Sequence, residues 1–211
     1  MRKFLFAASI LTLGLAFPAL ADDNTSTLDQ LGVGNAAGIS QFGIGTTNTS
    51  DVDQLGAFNG VISVQEGTGN LNESIVFQAG VGNSVALKEK GVQNQNKSTV
   101  FQFGVTEVAD VTQEGDDNKN TSLLVQAGAG NFASIKQYGT DNTNDSLINL
   151  EAGIGNVMWI DQGGTDNTNE SEAKTFGDGN LIIVTQGGTA NLNDSYVNVV
   201  GDANVAVVSQ F

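Results

Sequence analysis

The chain has no cysteine, no histidine and a single proline, Pro18. Without cysteine no disulfide can staple an exported fold, and without histidine or cysteine a zinc site has no usual ligands. Basic residues are scarce as well: 8 Lys and Arg stand against 23 Asp and Glu, for a formal charge of −15. That sign opposes nucleic acid and anionic lipid as partners, both of which call for a basic footprint. No stretch keeps an apolar period of 3.6 over the length of a helix. Stability must therefore come from packing and backbone pairing.

Met1 to Ala21 forms a separate unit. Arg2 and Lys3 precede an apolar run from Phe4 to Phe17, and Ala19-Leu20-Ala21 has the small-x-small pattern of a cleavage site. The run is short for a membrane span and Asp22-Asp23 follows at once, so a removed signal peptide is expected rather than a stable membrane anchor. Residues 22–25 would then be a short mature tail, and losing Arg2 and Lys3 would take the charge to −17.

From Ser26 to Phe211 the chain repeats itself eight times. Ser26, Ser50, Ser74, Ser98, Ser122, Ser146, Ser171 and Ser195 open the copies at intervals of 24 residues, with a single 25 between Ser146 and Ser171. A period of this size marks a stack of units that lean on their neighbours. Within a copy, residues alternate with period two around each Gln, which is a strand signal. One row holds Leu28, Val52, Val76, Val100, Leu124, Ile148, Ala173 and Val197. A second half-repeat gives pairs from Ala37/Ile39 to Ala206/Val208, interrupted only by Ser63. Two short strands per unit, facing each other across a thin interior, predict an all-β cross-β solenoid of eight rungs. Its strands are expected to form two parallel, in-register sheets.

The turns carry Gly32, Gly56, Gly80, Gly104 and Gly128, each followed three residues later by Asn35, Asn59, Asn83, Glu107 and Asn131; Asn156 belongs to the same set. Gly permits positive φ, and Asn tolerates the left-handed region, so both are expected to shape the corners. Glu107 departs from Asn and predicts a looser turn. The Asn-x-Ser triplets, such as Asn72-Glu73-Ser74, match a glycosylation acceptor but recur once per rung, and are read as turn chemistry. A phosphate-binding loop is excluded by the missing Lys and the missing helix.

The same parity that places Val, Leu and Ile inside places glutamines inside. In register they make one ladder of Gln30, Gln54, Gln78, Gln102 and Gln126, and another of Gln41, Gln65, Gln113, Gln137, Gln162, Gln186 and Gln210. A primary amide donates and accepts, so stacked identical amides satisfy one another. Glu89 interrupts the second ladder. The first is lost late, where Leu150 or Glu151, then Thr175 and Val199, take its place; the extra residue near Leu150 predicts a bulge and a less regular later half. Leu28, Gln30, Val208 and Gln210 lie on the terminal rungs as candidate polymerisation edges, unprotected by proline.

Written as Gln-x-Gly-x-x-Asn-x-x-x-x-x-Gln, with Gln30, Gly32, Asn35 and Gln41 or Gln126, Gly128, Asn131 and Gln137, the repeat resembles the curlin repeat of bacterial curli subunits. The resemblance covers nearly the whole chain after the leader. It implies an extracellular functional amyloid for biofilm matrix, adhesion and cell aggregation. It also implies a subunit that crosses the outer membrane through export machinery and polymerises with itself on a nucleator subunit. No cofactor, metal or catalytic residue is expected. The alternatives are the nucleator itself, or a monomeric secreted solenoid acting as an adhesin or ice-binding protein. The ice-binding reading lacks the usual outward Thr row, since Ala36, Gly60, Ser84, Val108, Phe132, Val157, Leu181 and Val205 occupy one such row. A polysaccharide-active enzyme would need carboxylates gathered in a cleft; here Asp51, Asp53, Asp116, Asp117, Asp145 and Glu170 are dispersed.

Overall fold

The computed structural model describes residues 8–11 and 23–211. The leader's cleavage site and Asp22 lie outside the described residues. A short strand, β1 (Ala8–Leu11), pairs in parallel with part of β2 (Asp23–Ile44), matching Ala8 to Val33 and Leu11 to Ala37. Asp23, Asn24 and Thr25 are strand residues paired with Thr47, Asn48 and Thr49, so they belong to the first rung rather than to a tail.

β2 runs through the whole first rung. Each later rung has two strands: β3 (Thr47–Ala57) with β4 (Gly60–Thr68), β5 (Leu71–Val81) with β6 (Ser84–Val92), and β7 (Gln95–Val105) with β8 (Val108–Asp116). Then follow β9 (Lys119–Ala129) with β10 (Phe132–Thr140), β11 (Thr143–Ile154) with β12 (Val157–Gln162), β13 (Thr168–Phe176) with β14 (Leu181–Gln186), and β15 (Leu192–Val200) with β16 (Val205–Gln210). The odd strands from β3 build one wall and the even strands from β4 the other, with β2 contributing to both, all parallel to their neighbours above and below.

The expectation of two sheets needs correction. The walls are one continuous sheet, running from β15 through β3, β2 and β4 to β16. The reason is local: β2 pairs with β3 along Asp23–Val33 and with β4 along Ala36–Ile44, and so carries pairing around the corner.

The core follows the predicted parity. Val52, Val76, Val100, Leu124, Ile148 and Ala173 from the first wall are buried against Val61, Val85, Ala109, Ala133, Met158 and Ile182 from the second. The interior is one side chain deep per wall, so stability scales with the number of stacked rungs. The insertion is absorbed as expected: register slips between Leu150 and Gly153, leaving Glu151 and Ala152 as the bulge, with Ala152 at φ 39°. Beyond it the pairing returns to register, but β12, β14 and β16 have 6 residues where β4, β6, β8 and β10 have 9.

Candidate functional site

Backbone position fixes the ladders. In the first wall, Gln30 Nε2 donates to Gln54 Oε1 at 2.6 Å, and Gln54, Gln78 and Gln102 each pass a 2.8 Å bond to the next rung, ending on Gln126. From Gln54 to Gln126 each Nε2 also meets a carbonyl of the other wall, as Ala36 O for Gln54 and Gly60 O for Gln78. That carbonyl fixes which end of the amide is the donor, so the ladder has a direction. In the second wall, Gln41 donates to Gln65, while Gln113, Gln137, Gln162, Gln186 and Gln210 form a second run with the same polarity.

Leu150 takes the place of Gln126 in the sixth rung and is buried, which decides between Leu150 and Glu151; Thr175 and Val199 continue the column. Thr175 Oγ1 is buried without a partner. Glu89 stands in the second ladder, fully enclosed. Its Oε2 accepts from Gln65 Nε2 at 2.7 Å, while Oε1 has no partner. Burial outweighs the Gln65 hydrogen bond and pushes its carboxyl up to about 8, with Glu73 adding repulsion. The neighbouring lysines turn outward, Lys88 to Glu114 and Lys90 to Glu66. Ser98 Oγ lies beside this break and donates to Gln113 Oε1 at 3.1 Å.

The corners differ from the sequence reading in three ways. The left-handed residue is the one before Asn, as at Phe58, Gln93, Thr106 and Asp117, whereas Asn59, Asn94 and Asn118 sit buried. The Asn works through its side chain. Asn59 Nδ2 bonds Leu55 O and Gly80 O of the next rung, and its backbone N–H donates to Asn35 Oδ1. Second, Glu107 keeps the acceptor role of the corner Asn but not its Nδ2 donors, which at Asn83 bond Ala79 O and Gly104 O. Glu107 accepts from Asn131 Nδ2 through Oε1 and donates its N–H to Asn83 Oδ1, so a carboxylate oxygen replaces the amide acceptor. Its other oxygen is buried without a partner, and burial raises the carboxyl to about 7. Third, the Asn-x-Ser positions are strand rather than turn. Asn48, Asn72, Asn96, Asn120, Asn144, Asn169 and Asn193 point inward and form a third ladder, as in Asn72 Nδ2 to Asn48 Oδ1 at 2.8 Å. Their even spacing from the glutamines was the available signal, and their burial leaves no room for a glycan.

Glycines let the corners stack. A Cβ on Gly80 would fall 1.8 Å from Gly104 O at φ +137°, so only hydrogen fits between these backbones.

At the ends, Leu28 and Val208 are half-buried against the core, and Gln30 and Gln210 carry the outermost ladder positions. Gln210 Nε2 bonds Asp194 O within its own rung and points its chain of donors outward. Among the described residues no group of three acidic side chains converges as a metal site. Residues 21–56 match the family model of the curlin associated repeat. No curated protein matches the chain. The matched segment contains Gln30, Gly32, Asn35, Gln41 and Gln54, whose counterparts continue in register up the stack, which supports assigning the repeat to the curlin repeat family.

Proposed function

We propose that this chain is the structural subunit of an extracellular curli-like amyloid fibre serving biofilm matrix, surface adhesion and cell aggregation. It would be exported with its leader removed, cross the outer membrane through dedicated machinery, and add to a nucleating subunit or to its own kind. The role is structural rather than catalytic.

The observation that carries this reading is the direction of the ladders. Every glutamine donor points toward the eighth rung, while strand Asn donors such as Asn48 point toward the first. The eighth rung thus presents Gln210 as donor and Asn193 as acceptor. The first rung presents their complements, Gln41 Oε1 and Asn24 Nδ2. Stacking one copy's eighth rung on another's first extends both ladders without reversal, and the backbone edges of β15 and β16 meet β2 in the same register as within the chain. Head-to-head joining would set like groups together.

Mature protein diluted from denaturant should form unbranched fibres with a meridional spacing of about 4.8 Å by fibre diffraction. A folded product that stays monomeric in sedimentation would overturn the fibre reading in favour of a monomeric adhesin.

A further inference from the structure

The outer faces of the walls are not uniform. On the first wall, Ile75, Phe77, Phe101, Phe103, Leu123 and Val125 stand outside rungs three to five, with Phe77 and Phe103 rings 5.6 Å apart. On the second wall single apolar residues such as Ile62, Val108 and Phe132 occur earlier, but the two middle outward columns are large and apolar together in rungs six to eight: Val157 and Trp159, Leu181 and Ile183, Val205 and Val207. Patches this size seldom stay uncovered. The first is centred on rung four and the second on rung seven.

Charge shows the same displacement. Asp29, Asp51 and Asp53 share rungs one and two of the first wall, and Asp53 is raised by burial and by its two acidic neighbours. Among the described residues none of the three has a salt-bridge partner. On the second wall Lys136 of rung five forms no salt bridge either, and rests over the Tyr138 ring at 4.4 Å. Within the two middle outward columns of the first wall, the acids without a salt bridge are confined to rungs one and two, while Lys136 lies on rung five of the second.

We propose that these faces are the two halves of a side-by-side contact between copies of this chain, the first wall of one lying on the second wall of the next with a shift of three rungs. The alignment along the strands follows from the interior. Ser50 Oγ lies 3.4 Å from Ser63 Oγ, so Asp51 and Ile62, one step outward on each wall, are back to back. A copy translated sideways therefore sets the column of Asp51 against the column of Ile62. With three rungs of shift, Ile75 meets Trp159, Leu123 meets Val207, and Lys136 lands beside Asp51. Phe132 enters the groove of about 420 Å³ that Asp53, Leu55 and Phe77 help to line. With no shift, Thr99 would instead face Asp110. Because the two patches differ, the contact is heterologous and repeats without closing. It needs the solenoid but not end-to-end growth.

The absence of cysteine makes the test direct. Packed sheets lie about 10 Å apart, so a bismaleimide of that reach can join facing thiols. Mature Thr99→Cys protein mixed with Ile183→Cys protein should cross-link at least five-fold more than Thr99→Cys mixed with Asp110→Cys. Adding Lys136→Glu should cut the Thr99–Ile183 product several-fold, and Asp51→Lys together with Lys136→Glu should restore it. Equal yields for the two pairs, no product for either, or indifference to Lys136→Glu would overturn the proposal. Cross-linking at the shifted pair without fibres would leave this contact standing while removing the fibre reading.

Discussion

The two glutamine ladders are built alike and end differently. In the first wall the amides stop at Gln126 and give way to Leu150, Thr175 and Val199; in the second they run to Gln210 but are broken by one carboxylate, Glu89. The apolar ending is gentle. Gln126 Nε2 keeps its bond to Val108 O at 3.0 Å, and Leu150 adds buried apolar surface. The acidic interruption leaves Glu89 Oε1 buried without a donor, and ionising it would put a charge in the core. A ladder therefore tolerates replacement by a group that asks for nothing far better than by one of the right shape and the wrong charge.

The comparison breaks most visibly inside the intact run. Gln78→Ala removes the acceptor of Gln54 and the donor to Gln102, both buried. Each stranded group costs about 1–3 kcal/mol, with a cavity added. Denaturant melts should show a loss on the order of 3 kcal/mol, and seeded elongation should slow. Asp53→Ala, on the outer face of the neighbouring rung, should stay within about 0.5 kcal/mol. Similar losses for the two variants would show that the amides stack without contributing.

Glu89→Gln tests the broken run. The folded-state carboxyl is raised from 4.5 to about 8, so the native stack binds the proton more tightly than the unfolded chain does. Stability tied to that proton is fully present below pH 4.5 and is lost as pH rises through about 8. Gln removes this dependence and adds an amide donor toward Gln113 Oε1, which in the parent accepts from Ser98. The variant should match the parent near pH 4 and exceed it by on the order of 2 kcal/mol at pH 9, with faster seeded growth at neutral pH. Glu107, raised to about 7, should leave a weaker decline of the same sign in the variant. Identical pH profiles for parent and variant would place Glu89 outside the ladder.

Much of this was legible in the sequence because a period of two and a period of 24 together fix which side chains stack. The inward rows, the Gln ladders, the Glu89 interruption and the bulge near Leu150 all follow from counting. What counting could not reach was geometry inside one residue step. The left-handed turn position is marked by Gly at Gly34, Gly69, Gly82 and Gly130, but Phe58, Gln93 and Thr106 occupy it in other corners and blur the mark. Asn48 and its equivalents resemble turn residues by type, although their parity places them inside. The single sheet was hidden because the first rung has the same spacing as the others, and only its unbroken pairing distinguishes it.

The smallest effect concerns the gentle ending. Thr175 sits between Leu150 and Val199 in a column that has lost its amides, and its Oγ1 has neither donor nor acceptor. Thr175→Val keeps the shape and removes the hydroxyl, so the column would become apolar from Leu150 onward. Replacing a buried unpaired hydroxyl by a methyl should stabilise by about 1 kcal/mol, read as a higher midpoint in urea. Thr175→Gln should do the opposite despite restoring the residue of the earlier rungs, because Leu150 and Val199 offer its amide no partner on either side. If the Gln variant proved the more stable of the two, an isolated amide would be satisfied by the opposite wall alone, and the continuity of the ladder would no longer explain why its members are Gln.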